Sequence, residues 1–284
     1  MALFTRTEFE TKLQERLDAP MAWKEICKVE YTNAGTLNNP YLTDAIVGTG
    51  TRYTGYTSTA SVTTSESVAI TTYIYSAQHI DDADIAQKTF SDIMEIADNM
   101  GTMLNEQVET RMLLEHAQWT NFDNASIGGS AGNITVSVSN IKNIIAAMKT
   151  AIRTAGGAEL ADRNGMFIQW READFEKVEL LASSEGFTTA DDALKNGIRK
   201  GFKYLGVEHY STSKNVSGHV FGGVKRAFHV GIVKNTYGKM KEIVNPYVST
   251  GTAQVSGIGF ESRIDLAFKA WNKMTPVLFD ILVA

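Results

Sequence analysis

The stretch Val68-Ala-Ile-Thr-Thr-Tyr-Ile-Tyr-Ser-Ala-Gln-His-Ile-Asp-Asp-Ala-Asp84 decides how this chain folds. In its first half Val68, Ile70, Thr72 and Ile74 fall on one face of an extended strand, and Ala69, Thr71, Tyr73 and Tyr75 fall on the other. Its second half places Asp81, Asp82 and Asp84 where the dipole of a helix amino terminus favours negative charge, with Asp81 or Asp82 as the cap. A ribbon therefore ends, and a helix begins, near Asp81.

Upstream, from Asn33 to Gln78, the only charged side chains are Asp44, Arg52 and Glu66, and Thr and Ser supply about a third of the residues. That composition suits an extended ribbon better than a helix. Ala45 to Gly50 is also extended in character, and Gly48, Gly50 and Gly55 allow bends, so the segment reads as a long hairpin with an irregular tip at Thr51 to Ser61. A loop of this length is rare in a compact domain unless it acts outside it. With so little charge to keep it in solvent, its natural resting place is a neighbouring surface.

Downstream, Phe90, Ile93, Ala97, Met100, Leu104, Val108 and Met112 follow three-four spacing. Asp82 to Gln118 contains no proline and one glycine, Gly101. A helix of about 35 residues would run roughly 55 Å, against a diameter of about 50 Å for a compact chain of this length. It would form a spine, either kinked at Gly101 or lodged in a flat, elongated molecule.

Nearer the amino terminus, Phe9, Leu13 and Leu17 form a stripe behind a capping-box pair, Thr7 with Glu10, and Pro20 ends that helix. Met21, Trp23, Ile26 and Val29 continue as an apolar arm. It either folds back on its own core or clasps another subunit.

After Asn133 the pattern becomes α/β. Ser139 is placed to cap a helix carrying Ile141, Ile144, Ile145, Met148 and Ile152, closed by Gly156-Gly157. Met166 to Ile168 reads as a buried strand, and Phe175, Val178 and Leu181 mark a helix ending before Gly186. A short helix is expected after Thr189, and Val207 to Tyr210 reads as a strand. Val220-Phe221, Phe228 to Val233 and Met240 to Val244 look like strands of one sheet. Arg263 to Ala270 alternates, and Val277 to Val283 is an almost continuous apolar strand of the kind buried on both faces.

The bulk composition narrows function. With 284 residues, 43% hydrophobic and 21% charged, the chain can bury a substantial core. A net charge of −5 and no concentrated Lys/Arg face argue against holding nucleic acid by phosphate neutralisation. One cysteine, Cys27, excludes an internal disulfide and a cysteine metal site. The first residues are too polar for a signal peptide, and no run of about 18 apolar residues is present to span a bilayer.

The search for chemistry is mostly negative. Gly128-Gly-Ser-Ala-Gly132 spells the nucleophile-elbow pattern around Ser130, but loop residues surround it where a strand and a helix are needed. No phosphate loop or dinucleotide fingerprint occurs. His79, His116, His209, His219 and His229 never fall at metal-site spacings, and the carboxylates beside His79 are explained by the helix dipole. No catalytic, cofactor-binding or metal-ligating residue is expected, and no cofactor.

The order of parts resembles the major capsid proteins of tailed phages, which share the Hong Kong 97 shell fold. The parts that carry the likeness are the arm, the nearly uncharged ribbon from Pro40-Tyr41-Leu42 to Ile74-Tyr75, the spine entered through His79-Ile80-Asp81-Asp82-Ala83-Asp84, the α/β region and the closing strands at Ile264 to Ala270 and Val277 to Val283. The resemblance spans essentially the whole chain. It implies an α+β fold with an amino-terminal arm at 1–35, an extended β-hairpin loop at 36–78 and a peripheral domain with the spine helix at 79–137. An α/β axial domain at 138–245 and closing strands at 246–284 would complete it.

The same resemblance implies a structural protein, assembling with itself in hexamers and pentamers into an icosahedral shell around double-stranded DNA touched only nonspecifically. It implies a virion protein assembled in the bacterial cytoplasm, with portal and separate scaffolding or decoration partners and no membrane. Expected intersubunit contacts are Phe9, Leu13, Trp23, Arg52, Tyr53, Tyr56, Val68 and Ile74. Some members of the family join neighbouring subunits through a lysine of the extended loop, but no lysine lies between Lys28 and Lys88, so that cross-link is expected to be absent. Two alternatives stand beside this reading: an encapsulin-type nanocompartment enclosing a cargo enzyme and, more distantly, a serine hydrolase using Ser130.

Overall fold

The computed structural model describes residues 5–42, 52, 63–81, 90–184, 202–244 and 257–284. Two sheets and a long helix organise them. The expected strand Ala45 to Gly50, the helix after Thr189, and Tyr53, Tyr56, Asp82 and Asp84 lie outside the described residues.

The long helix α3, Phe90–Leu114, has 25 residues, about 37 Å at 1.5 Å per residue. Ile93, Ala97, Met100, Leu104, Val108 and Met112 are all buried, so the expected stripe is its core face. The helix gives way to a short 3-10 turn at His116–Gln118. It runs unbroken through Gly101, and a different need explains that glycine. A Cβ there would stand 2.7 Å from Arg16 Cβ and 3.0 Å from the Leu13 carbonyl, because helix α1, Arg6–Leu17, crosses α3 at that point. Gly101 is a close-approach residue rather than a kink.

The arm folds back on this spine. Thr5, not Thr7, caps α1: its hydroxyl accepts the Glu8 N–H and the Glu8 carboxylate accepts the Thr5 N–H. Glu10, the expected partner of Thr7, instead pairs with Arg6 and Lys239 and accepts the Met240 N–H. A one-turn helix α2, Ala22–Ile26, leads into strand β1, Cys27–Thr32.

The alternating run that opened the sequence reading is two strands. β2, Thr36–Leu42, and β3, Thr63–Ala69, form an antiparallel hairpin, with Thr36 opposite Ala69 and Leu42 opposite Thr63. After a break at Ile70-Thr71, β4, Thr72–Ile80, enters a five-stranded sheet. The strand continues through His79 and Ile80, so His79 belongs to the sheet.

The hub of that sheet is β12, Ile258–Ala270. It pairs antiparallel with β4 from Ile258 to Leu266 along one edge. Along the other edge lie β11, Met240–Val244, and β10, Phe228–Val233. β1 pairs parallel with β10 and completes the sheet.

The second sheet has six strands in the order β5, β13, β9, β6, β8, β7. These are Thr120–Phe122, Leu278–Leu282, His219–Val224, Met166–Arg171, Val207–Thr212 and Phe202–Tyr204. Helices α4, Ile141–Thr154, α5, Ala158–Asn164, and α6, Glu172–Ser184, accompany it. α4 follows Asn140 rather than Ser139, with the Asn140 side chain bridging the Ser137 N–H and the Thr135 carbonyl. The three strands expected in one sheet divide: β9 lies in the six-stranded sheet, β10 and β11 in the five-stranded one. Segment 138–245 thus feeds both.

One continuous apolar core runs through both sheets. Trp119 stands at the joint, edge-on to Phe167 and Phe221 of the six-stranded sheet and to Phe228 of the five-stranded one, with ring centroids 4.9–6.1 Å away. Among the described residues no helix is long and apolar enough to cross a membrane.

Candidate functional site

The hairpin β2–β3 forms a sheet of its own. Of its described side chains only Leu37 is buried, and the pattern along β3 is exposed or half-buried throughout. Leu37 anchors the root: it packs so closely on β10 that a Cβ at Gly231 would lie 3.3 Å from it. Glu66 adds a second tie by accepting the Asn272 N–H at 3.0 Å. A two-stranded ribbon is marginally stable alone in water, and this one has almost no core of its own.

Where the hairpin joins the sheet, the two faces of β4 differ sharply. Ile74 and Ile80 are buried, whereas Tyr73 and Tyr75 are 54% and 63% exposed. The two rings sit 6.1 Å apart, and the Arg263 guanidinium lies 5.4 Å from the Tyr73 ring, held by Asp265 at 3.2 Å. Exposed tyrosines flanked by arginine have the composition of contact surfaces rather than of idle surface.

The expected contact residues divide accordingly. Phe9, Leu13 and Trp23 are buried in this chain's own core, against α3 and β12; Phe9 stacks on Phe260 at 5.3 Å. Ile74 is likewise internal. These four are already covered, which corrects the expectation that they face a neighbour. A strand alternates faces at every residue, so the outward positions beside Ile74 are Tyr73 and Tyr75. Val68 is half-buried and Arg52 is exposed.

Ser130 is exposed in the loop after the 3-10 turn Asn124–Ile127, where Asn124 Nδ2 donates to its carbonyl at 3.0 Å. Neither the preceding strand nor the following helix of an elbow is present, and no histidine partners its hydroxyl among the described residues. His209 is a core residue: Trp170 Nε1–H donates to its Nδ1 at 2.9 Å, and burial pushes its pKa down to about 4. Cys27 is buried, which raises its thiol pKa and keeps it unreactive.

The structure also gathers residues that sequence spacing could not. His116, His219 and Asp280 converge from three remote segments. The one signal in the sequence is a carboxylate in the middle of the apolar strand Leu278-Phe-Asp-Ile-Leu282.

No family model matches this sequence, and neither does any curated protein. Solved structures do match, over almost the whole chain. The capsid of Ralstonia phage GP4 aligns with a TM-score of 0.59 at 8% identity, over 91% of this chain and 87% of its own. The chain has the shell fold of tailed-phage capsids. A Gordonia phage Cozz structure gives 0.62 at 12% identity over 91% and 85%, and a virus-like particle from Pyrococcus furiosus gives 0.55 at 10% over 97% and 98%.

Proposed function

We propose that this chain is the major capsid protein of a tailed phage, a structural protein that assembles with copies of itself into an icosahedral shell around double-stranded DNA. One observation carries the reading: on a chain that matches the capsid fold over 91% of its length, a hairpin leaves the globule with Leu37 as its one buried side chain among those described. The hairpin is the extended loop, laid across the adjacent subunit. Arg52, Tyr53 and Tyr56 contact the neighbouring subunit together with the exposed Tyr73 and Tyr75 and with Arg263, whereas Val68, opposite Leu37, shares the face of the buried anchor.

The spine and the five-stranded sheet form the peripheral part, and the six-stranded sheet with α4 to α6 forms the axial part. Subunits group as hexamers and pentamers, with portal and separate scaffolding or decoration proteins completing a virion assembled in the bacterial cytoplasm. Each tyrosine covered on assembly contributes on the order of 1–2 kcal/mol, and repetition by symmetry turns modest contacts into a closed wall. No lysine lies between Lys28 and Lys88, so the loops hold by noncovalent contact alone.

Light scattering and negative-stain microscopy of the purified protein test this reading. Closed megadalton particles support it, and a stable monomer or dimer under all assembly conditions refutes it. A shell that carries an enzyme cargo and no genome would favour an encapsulin-type compartment. The pair of substitutions Tyr73→Ser and Tyr75→Ser should leave the monomer's melting temperature within a few degrees while abolishing closed particles, and a denaturing gel of particles should show monomer with no covalent ladder.

A further inference from the structure

We infer that His116, His219 and Asp280 form a binding site for a divalent transition-metal ion of borderline softness, such as Zn²⁺, Co²⁺ or Ni²⁺. Asp280 lies on the central strand β13 and is 1% exposed. His219 Nδ1 stands 2.9 and 2.8 Å from its two carboxylate oxygens, and His116 Nδ1 stands 3.3 Å from Oδ2. The two imidazoles lie face to face, centroids 4.0 Å apart and tilted 36°. Among the described residues no ammonium or guanidinium pairs with this carboxylate. A buried carboxylate is costly without a positive partner, and two imidazoles with their Nδ1 atoms turned on one oxygen pair are a set of ligands.

The distances fit an ion. With metal bonds of about 2.0–2.1 Å, ligand atoms stand roughly 3.3 Å apart around a tetrahedral ion and roughly 3.0 Å apart around an octahedral one. The His219–Asp280 and His116–Asp280 separations of 2.8 and 3.3 Å lie near that range, and the three ligand atoms all fall within 4.8 Å of one another. The donor set decides the metal: two imidazole nitrogens with one carboxylate suit zinc-like ions, whereas Mg²⁺ and Ca²⁺ call for oxygen ligands. Three protein ligands leave a coordination position for water or another donor. Access is available, because the His116 and His219 side chains are 29% and 22% exposed.

The ligands come from the turn after the spine helix, the first residue of β9 and the last strand, so a bound ion would staple the spine to the six-stranded sheet. Binding of this kind adds to folding stability as RT ln(1 + M/Kd), where M is the free metal concentration, and so grows with free metal even beyond saturation. The inference rests on these three residues and holds whether or not the chain builds shells.

The test uses the full chain, without a polyhistidine tag and stripped by chelator, titrated with Zn²⁺ by calorimetry and with Co²⁺ by visible absorption. One equivalent per chain is expected, with Co²⁺ d–d bands and a melting temperature that rises with Zn²⁺ and falls back on chelation. His116→Gln and His219→Gln should each weaken binding by more than about tenfold, since even changes beyond the direct ligands cost that much. Removing an imidazole from buried Asp280 lowers the metal-free melting temperature as well, so the readout is the further rise on adding Zn²⁺, which each variant should lose. Absence of saturable uptake by the folded parent overturns the inference, as does uptake unchanged in both variants. Should either variant fail to fold, Asp280→Asn and the parent's Co²⁺ spectrum decide: no d–d bands, or bands unchanged in Asp280→Asn, would also overturn it.

Discussion

Asn105, a buried polar residue on the core stripe of α3, joins the arm to the spine. Its Oδ1 accepts Trp23 Nε1–H at 2.9 Å, and its Nδ2 donates to the carbonyls of Arg16 and Ala19 at 3.2 and 3.3 Å. Those carbonyls sit where α1 ends and where helices leave acceptors unmet. Asn105→Ala would strand the Trp23 indole N–H in the core, while the Arg16 and Ala19 carbonyls keep Ala19 N–H and Lys24 Nζ as donors, a loss of about 1–3 kcal/mol. Urea unfolding should show that loss, and an unchanged midpoint would mean that water reaches these groups. The residue scale is also where sequence reading is weakest. Phe9, Leu13, Trp23 and Ile74 announce burial by type and spacing, but spacing does not say which chain buries them.

Among the elements, the spine was legible because helical periodicity is written within a single segment, and every described stripe position from Ile93 to Met112 faces the core. The break between β3 and β4 was not, because alternation continues unbroken across Ile70-Thr71 while the pairing partner changes from β2 to β12. Register against a remote strand is a tertiary property. The crossing of α1 over α3 gives a prediction with a reversed sign. Gly→Ala within a helix ordinarily stabilises by about 1 kcal/mol. At Gly101 the new methyl meets Arg16 Cβ at 2.7 Å, so Gly101→Ala should instead destabilise by about 1–3 kcal/mol. A raised melting temperature would show that the helices separate freely at this crossing.

Over the whole molecule, each of the two larger sheets carries a histidine that burial holds neutral: His209 on β8 and His229 on β10. Burial lowers both to about 4, with Lys28 adding to the effect at His229. The unfolded chain takes up these protons near pH 6.5, so stability is full above that value and declines as pH falls towards 4. For His209 alone the loss between pH 7 and pH 5 is about 2 kcal/mol, and His229 acts in the same direction. The thermal midpoint should therefore fall over this interval, above the range where carboxylates titrate, and a flat profile would contradict it. The cluster of His116, His219 and Asp280 and the joint at Trp119 share a cause of illegibility: each is assembled from segments far apart in the chain.

The alignment of β4 with β12 has a mechanical meaning. Nine consecutive residues of β4, Thr72 to Ile80, are in register with Leu266 back to Ile258, and the hairpin is joined directly to the Thr72 end. A force on the hairpin along the axis of β4 loads these pairs in shear, so they resist together instead of opening one after another like a zipper. Tension applied at the ribbon passes into β12, the longest of the described strands, and from there to β10 and β1, before any single hydrogen bond is isolated. The thinnest part of the protein is thereby fastened at its most tear-resistant seam.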